Sequence, residues 1–376
     1  MKALVAWRMI AHEKGRSALA IGGILVAILL MFLQLGFYMS VPQGGLLFYD
    51  KMRFDLMLAS SSYVFEAQAS TFPRRRLLQA LALPEVTQIA PLYQESGRWL
   101  NADGRLARDV FVIGFNPNDV IFDLPEVMSQ SDVLRRPDTI LVDTASRPEF
   151  GSIGVGRQIE IDHRNVTIGG TYQLGTGFVG LGVAMTSDLN FVRIFPRQKL
   201  SDVSLGLITL QRGADPAEVV ARLRGILPAD TQVFTRREFT NHEINHWVTR
   251  TSTGLIFGFG VVVAIAVGLV ILNQTLSTQI MRNLPQYATL KAMGFGETHI
   301  SGIVAAVAII LSTISYIPAV GLALILYEII RRATLLPIEM TSARMLAVLA
   351  LAWGMSALSA IVALRVLRRA DPVELF

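Results

Sequence analysis

Thr251-Ser-Thr-Gly-Leu-Ile-Phe-Gly-Phe-Gly-Val-Val-Val-Ala-Ile-Ala-Val-Gly-Leu-Val-Ile-Leu-Asn-Gln-Thr-Leu-Ser-Thr-Gln-Ile-Met281 contains no Asp, Glu, Lys or Arg. A helix crosses the apolar core of a bilayer in about 20 residues, so this stretch reads as a membrane span. Ser17–Tyr49, Ile300–Tyr327 and Met345–Leu364 have the same property. The chain as a whole is only 17% charged, yet 45 of its 63 charged residues fall between Asp50 and Arg250. That density is globular. The expected architecture is therefore a four-span α-helical membrane protein with one globular domain between the first and second spans.

Charge placement sets the orientation. Lys2, Arg8, Lys14 and Arg16 precede the first span, Arg282 and Lys291 lie between the second and third, and Arg365, Arg368 and Arg369 follow the fourth. Only Arg331, Arg332 and Arg344 occupy the opposite short loop. Lys and Arg mark cytoplasmic flanks, so both termini and the 282–299 connection are expected in the cytoplasm. Residues 50–250 and the 328–344 loop are then expected outside. The net charge of +5 and pI near 9.6 follow from these flanks and do not call for nucleic acid. Cysteine is absent, which excludes disulfides and Cys-ligated metals. The first apolar run is too long for a signal-peptide core and ends in no A-x-A site, so it reads as a retained anchor. Ahead of it, in 1–16, Leu4, Trp7 and Ile10–Ala11 recur at helical spacing. They suit either a short interfacial helix or a plain basic flank.

Within the outer domain, Asp55–Ala59 reads as a strand, and Pro73–Leu83 as a helix opened by Thr71 and Pro73. Val86–Leu92 reads as a returning strand. Ser204–Leu210 starts a second unit, in which Asp215-Pro216-Ala217-Glu218 opens a helix. There Asp215 caps, Pro216 suits the first turn and Glu218 reaches back. Thr231–Phe234 closes that unit. Two such units, at about 50–100 and 200–235, predict a ferredoxin-like α+β fold. Between them, at about 101–199, a mostly β insertion is expected. Its strands are Val110–Gly114, Ile140–Val142, Gln158–Ile161 and Asn165–Ile168, with a hairpin turn at Asp162-His163-Arg164-Asn165. Thr235-Arg236-Arg237-Glu238 is a capping box. The helix it starts, through 236–250, is expected to run unbroken into the second span as a stalk.

His242-Glu243-Ile244-Asn245-His246 spells H-E-x-x-H, which on a helix sets two imidazoles one turn apart beside a candidate general base. A zinc protease needs a third ligand, and the next carboxylate along the chain, Glu297, lies beyond the second span. The segment is therefore expected to be a polar stalk face without metal, anchored by Trp247 at the membrane interface. Gly175-Thr176-Gly177-Phe178-Val179-Gly180 matches G-x-G-x-x-G, but Leu181–Thr186 shows no helical pattern, so a glycine-rich loop is expected rather than a cofactor site. None of the five lysines follows a glycine, so no Walker A loop is present. The spans hold no acid or base, their strongest polar groups being Gln34, Asn273 and Gln274. Proton-coupled transport is thereby disfavoured. Pro285–Gly294 reads as a short helix with a glycine stop. Its Tyr287, Leu290, Met293 and Gly294 suit either docking to a partner's groove or rest on the membrane surface.

Tyr287-Ala-Thr-Leu-Lys-Ala-Met-Gly294 and the final Ala370-Asp-Pro-Val-Glu-Leu-Phe376 resemble the permeases of the MacB/FtsX superfamily, and within it the DevC-type permeases of heterocyst-glycolipid exporters. Leu35-Gly-Phe37, Phe72-Pro-Arg-Arg-Arg-Leu77, Val112-Ile-Gly-Phe-Asn-Pro117 and Phe122-Asp-Leu-Pro-Glu-Val127 carry the likeness through the chain. So do Ala145-Ser-Arg-Pro-Glu-Phe-Gly151 and Thr186-Ser-Asp-Leu-Asn-Phe191. The resemblance implies a homodimeric inner-membrane permease of a two-membrane bacterium, with no cofactor or catalytic residue of its own. ATP and Mg would sit on a separate cytoplasmic ATPase, docked on a coupling helix through Tyr287, Leu290, Lys291, Met293 and Gly294. The outer domain would meet a periplasmic adaptor leading to a TolC-like channel. Glu243 and Trp247 would belong to the stalk, leaving the histidine pair incidental. Three other functions stay open: an FtsX-like transmitter regulating a periplasmic hydrolase, a lipoprotein-releasing permease, and a metalloprotease built on His242 and His246.

Overall fold

A computed structural model describes residues 6–8, 12, 14–65, 68, 70–101, 107–175, 182–283, 285–286, 289–290 and 293–369. It divides into two compact units, one of residues 1–39, 254–334 and 338–376, the other of 40–253 and 335–337.

Among the described residues four helices are long and apolar enough to cross a bilayer: Ser17–Leu46, Ser252–Arg282, Thr298–Thr334 and Ser342–Val362, and most of their length forms the membrane unit. Here α1 is Lys14–Leu46, of which residues through Met39 belong to this unit. Its core gathers Ile24, Ile28, Met31 and Phe32 of α1 with residues of the three later helices. The last two of these, α7 (Glu297–Thr334) and α8 (Ser342–Arg369), pack along small buried residues. Ala308, Ser312, Ser315 and Ala319 recur at three- and four-residue spacing on one, and Ala352, Ser356 and Ala360 on the other. Lipid supplies no hydrophobic drive between helices, so close backbone approach over small side chains does the packing.

The outer unit is built on one nine-stranded sheet. Its strands are β1 (Leu56–Ser60), β3 (Val86–Leu100), β4 (Ala107–Phe115), β5 (Thr139–Asp143), β6 (Gln158–Ile161), β7 (Arg164–Tyr172), β8 (Val183–Ser187), β10 (Leu205–Leu210) and β11 (Thr231–Thr235). A separate two-residue pair joins β2 (Phe72–Pro73) to β9 (Asp202–Val203). At one end the order is β11-β1-β10-β3, every neighbouring pair antiparallel. Helices α2 (Arg74–Gln79) and α4 (Pro216–Ile226) are the crossovers. β1 shows why this end is buried on both faces. Leu56 and Leu58 join Leu77 of α2 and Val219, Val220 and Leu223 of α4 in one cluster. Met57 and Ala59 point the other way, toward Tyr49, Phe54 and Phe239. Side chains alternate along a strand, so one apolar strand feeds two cores.

The insertion does not form a sheet of its own. β3 is fifteen residues long; it pairs with β10 as far as Leu92 and with β4 from Leu92 to Leu100. From there β4, β8, β5, β7 and β6 follow in turn, and β6 closes back on β3 through Trp99–Ile161 and Leu100–Glu160. The six strands make a closed ring filled by Trp99, Val112, Ile140, Ile161, Ile168 and Ala184. Closure leaves no edge on that side for another chain to pair with. The hairpin turn falls at Asp162 and His163, both at positive φ (46° and 66°), between the paired Ile161 and Arg164. Both signs match a two-residue type I′ turn. Helix α3 (Asp188–Ile194) is capped by Ser187, whose hydroxyl accepts from Asn190 N at 3.2 Å.

Two expectations about helices need correcting. The helix expected over 73–83 is α-helical only to Gln79 and continues as a 3₁₀ turn, Ala80–Ala82; its cap position is Pro73, not Thr71. The stalk is not continuous either. Helix α5 (Arg236–Thr249) ends before Arg250, whose φ/ψ are −113°/−22°, and α6 (Ser252–Arg282) begins two residues later. The run Thr249-Arg-Thr-Ser-Thr-Gly254 spans the break. Thr249 Oγ1 donates to Asn245 O at 2.7 Å and Thr251 Oγ1 to Trp247 O at 2.6 Å. Such back-bonding by β-branched hydroxyls weakens and bends a helix. Leu4, Ile10 and Ala11 of the N-terminal segment, residues 176–181 of the glycine-rich stretch and the 370–376 tail lie outside the described residues.

Candidate functional site

Helix α5 starts on the expected capping box. Thr235 Oγ1 accepts from Glu238 N at 3.1 Å, and Glu238 Oε2 accepts from Thr235 N at 2.8 Å. Arg236 then lies over the Phe54 ring, 4.7 Å from its centroid, and donates to Met52 O at 2.8 Å. One face follows at intervals of four: Phe239, Glu243 and Trp247, all buried. The Phe239 ring meets Tyr49 at 4.9 Å and Tyr63 at 5.9 Å between centroids. Glu243 is fully buried, with Tyr63 Oη donating to its Oε1 at 2.7 Å. A buried carboxylate is tolerated only with such partners. Trp247 stands edge-on to Phe65 at 5.8 Å and presses flat against Gly45 near the end of α1. A Cβ at Gly45 would sit 2.6 Å from the indole Cε2, so only glycine admits this approach.

The histidines serve the same packing. His242 Nε2 lies 2.9 Å from the Val64 carbonyl, and since a carbonyl only accepts, that nitrogen carries the hydrogen. His246 stacks on Phe65 at 4.2 Å, and burial pushes its pKa down, helped by His242 and Arg250. Both imidazoles thus grip the Tyr63–Phe65 segment, and among the described residues no group of three or more His, Asp or Glu is placed to hold a metal. Replacing both histidines by alanine should cost about 1 kcal/mol of stability and leave the chain's zinc content, measured by emission spectroscopy, unchanged. Loss of a stoichiometric zinc in the variant would restore the protease reading.

On the far side of α6, the 285–294 connection is helical at Pro285–Gln286 and Thr289–Leu290. Met293 N donates to Thr289 O at 3.0 Å and Phe295 N to Leu290 O at 3.1 Å, while Gly294 takes φ +89°. The six-residue bond over a left-handed glycine is a Schellman stop. The expected docking face divides. Leu290 is half-buried against the core of the membrane unit, whereas Met293 is 62% exposed and Pro285, Gln286 and Gly294 are exposed. Leu290 therefore holds the turn to its own helices and leaves Met293 outward. Tyr287 and Lys291 lie outside the described residues. Sequence reasoning passed over Tyr63, Phe65 and Gly45; they carry no motif, and Tyr63 is 180 positions from Glu243.

A model of the MacB-like periplasmic core domain matches residues 17–226, more than half the chain, and one of the FtsX-like permease C-terminal region matches 258–372. The chain therefore belongs to the MacB/FtsX-like permeases, the permease components of ABC-type transporters, and is a multi-pass inner-membrane protein. Among solved structures it is similar to the extracellular domain of the ABC-type transporter YknZ from Gram-positive bacteria. That likeness has 14% identity and TM-score 0.35, covering 48% of this chain and 99% of that one. It is also similar to the periplasmic region of MacB from Actinobacillus actinomycetemcomitans, at 8% identity and TM-score 0.37, covering 54% and 96%. A domain of a permease protein from Porphyromonas gingivalis gives 12% identity and TM-score 0.32, covering 49% and 87%. No curated protein sequence matches the chain.

Proposed function

We propose that this chain is the permease subunit of an ATP-driven tripartite exporter of the DevC type. The observation that carries the reading is α5, fastened into the outer unit through Phe239, Glu243 and Trp247, only two residues before the span α6. A helix so fixed is suited to pass movement between an ATPase and the outer domain without a charged path through the membrane. ATP and Mg would be held by a separate ATPase, docked on the exposed Met293–Gly294 end of the coupling turn. The outer domain, ferredoxin-like at the end with the β11-β1-β10-β3 order, would engage a periplasmic adaptor and through it a TolC-like channel. The working unit would be a homodimer with both termini cytoplasmic. The cargo would be amphipathic or lipid-like, a heterocyst glycolipid in the finest form of the reading.

The test is mass spectrometry of what co-purifies with the tagged chain after mild crosslinking in its native membrane. A P-loop ATPase together with a periplasmic adaptor is expected. An ATPase with a cell-wall hydrolase in place of the adaptor would convert the reading to an FtsX-like transmitter, and an ATPase with neither would favour lipoprotein release. Recovery of no ATPase would overturn all three. Met293→Glu should lower ATPase recovery about tenfold, the equivalent of roughly 1.4 kcal/mol at the docking face, without changing the yield of the chain. Undiminished recovery would place the docking surface elsewhere.

A further inference from the structure

Among the described residues the membrane unit buries one full charge. Arg344, the third residue of α8, is only 6% exposed although it opens a helix at the end of a span, where a long cationic side chain ordinarily snorkels to water and headgroups. Its guanidinium donates to the Glu339 carbonyl and lies over the Tyr327 ring of α7, 5.6 Å from the centroid. Its Nε–H has no acceptor among the described residues. Glu328, the nearest acid on α7, is taken by Arg331 and Arg332 at 2.7 and 2.6 Å. A buried guanidinium whose partners are one carbonyl and the ring face and hydroxyl of a single tyrosine, with Nε–H left over, still sits in a costly place.

Tyr327 faces α1 as well as Arg344. Its hydroxyl donates to the Phe32 carbonyl, and its ring lies flush on Gly36, where a Cβ would come within 2.7 Å of Cζ. Helices α7 and α8 are joined independently, by Tyr316 Oη to Met345 O at 2.9 Å and Trp353 Nε1 to Thr313 Oγ1 at 3.1 Å. Breaking the Tyr327 seat would therefore loosen α1 from the α7–α8 pair and leave that pair intact. Two opposed influences meet at one side chain: the hydrogen bond and glycine seat close the seam, and the desolvated charge behind the ring favours opening it.

We propose that Tyr327 and Gly36 form a catch between α1 and α7, and that Arg344 is the spring acting against it. When the seam opens, Arg344 swings to the phosphates of surrounding lipid headgroups, which recover its hydration and its missing acceptor. Tyr327, Gly36 and Arg344 are positioning residues of the transport cycle, and only their role in that cycle rests on the permease reading.

The catch and the spring predict opposite signs. Because the chain contains no cysteine, Met39→Cys on α1 and Ile329→Cys on α7, both exposed, can carry spin labels on the full chain. The chain is placed in nanodiscs of phosphatidylethanolamine and phosphatidylglycerol, and the label separation is read by pulsed electron resonance without nucleotide. Tyr327→Phe, which keeps the ring and removes the hydroxyl that bonds the Phe32 carbonyl and Arg344, should raise the long-distance population about fivefold. Arg344→Met, which removes the buried charge and keeps the bulk, should lower that population below wild type. A purely structural role makes both variants shift toward longer distances. That outcome, or no shift in either, overturns the latch. Since no ATPase is present in this experiment, its result is independent of whether the partner reading stands.

Discussion

Trp247→Ala should unfold the outer unit more easily by about 3–5 kcal/mol, the usual cost of emptying a large buried aromatic site, and should uncouple the permease. The indole is 5% exposed and fills the space between Phe65 and Gly45. Gly45→Ala attacks the same contact from the other side, since the added methyl meets the ring; overpacking of this kind costs about 1–3 kcal/mol. In the Trp247→Ala background that methyl meets nothing, so the double variant should be no less stable than Trp247→Ala alone. Thermal unfolding of the four purified full-length chains decides the matter. Simple additivity of the two losses would show that Gly45 and Trp247 do not touch. On the proposed exporter reading, an ATPase bound to the Trp247→Ala chain should keep hydrolysing ATP while export falls, because the turnover machinery would be on the partner and the damage is to the connection. Parallel loss of hydrolysis and export would mean that Trp247 matters only for folding.

The elements that were legible in the sequence are those whose cause is local. Four spans follow from stretches without charge, and the structure has four helices of suitable length in those places. Thr235 and Asp215 announce helix starts because their side chains bond amides two or three residues away. The Asp162-His163 turn is equally local. What could not be read depends on distant partners. β8, Val-Ala-Met-Thr-Ser, is buried at all five positions and so shows no alternation to betray it. The β6–β3 closure that turns the insertion into a ring rests on two residue pairs 60 or more positions apart. The stalk break was not legible: Thr249 and Thr251 bond back to i−4 carbonyls at it, but Thr278 and Thr313 do the same inside unbroken helices. Spacing put Leu290 on one apolar face with Tyr287 and Met293 and left open whether that face met a partner or the membrane; it is silent on which neighbour Leu290 meets, here the core of the membrane unit. For the candidate site, the helix that carries Glu243 and Trp247 was legible from its capping box at Thr235. Their partners Tyr63, Phe65 and Gly45 were not, being ordinary residues whose importance is created by the fold.

Asp143→Ala should loosen the start of the glycine-rich stretch far more than its distance from any motif suggests. Asp143 ends β5, is 1% exposed, and accepts three backbone N–H groups: Ala145 at 2.9 Å and Leu174 at 3.1 Å on Oδ1, and Gly175 at 2.9 Å on Oδ2. The carboxylate thus pins Leu174–Gly175 to the end of β5. Removing it strands three donors, at a cost of about 3 kcal/mol, so amide exchange at Leu174 and Gly175 should accelerate about a hundredfold. Unchanged exchange in the full-length variant would refute the anchor. Acidity adds a signed test. Burial pushes the Asp143 pKa up, the three N–H bonds opposing it in part, and nearby Glu126 adds to the rise. The folded chain therefore holds this proton to higher pH than the unfolded chain, whose Asp ionises near about 3.9. The stabilisation from that proton is complete below this value and is lost as pH rises through the folded-state pKa. Asp143→Asn cannot ionise and lacks that loss, so the stability advantage of wild type over Asp143→Asn should be larger near pH 4 than at pH 7. A gap that widens toward neutrality would mean that the amide bonds, not burial, dominate the site.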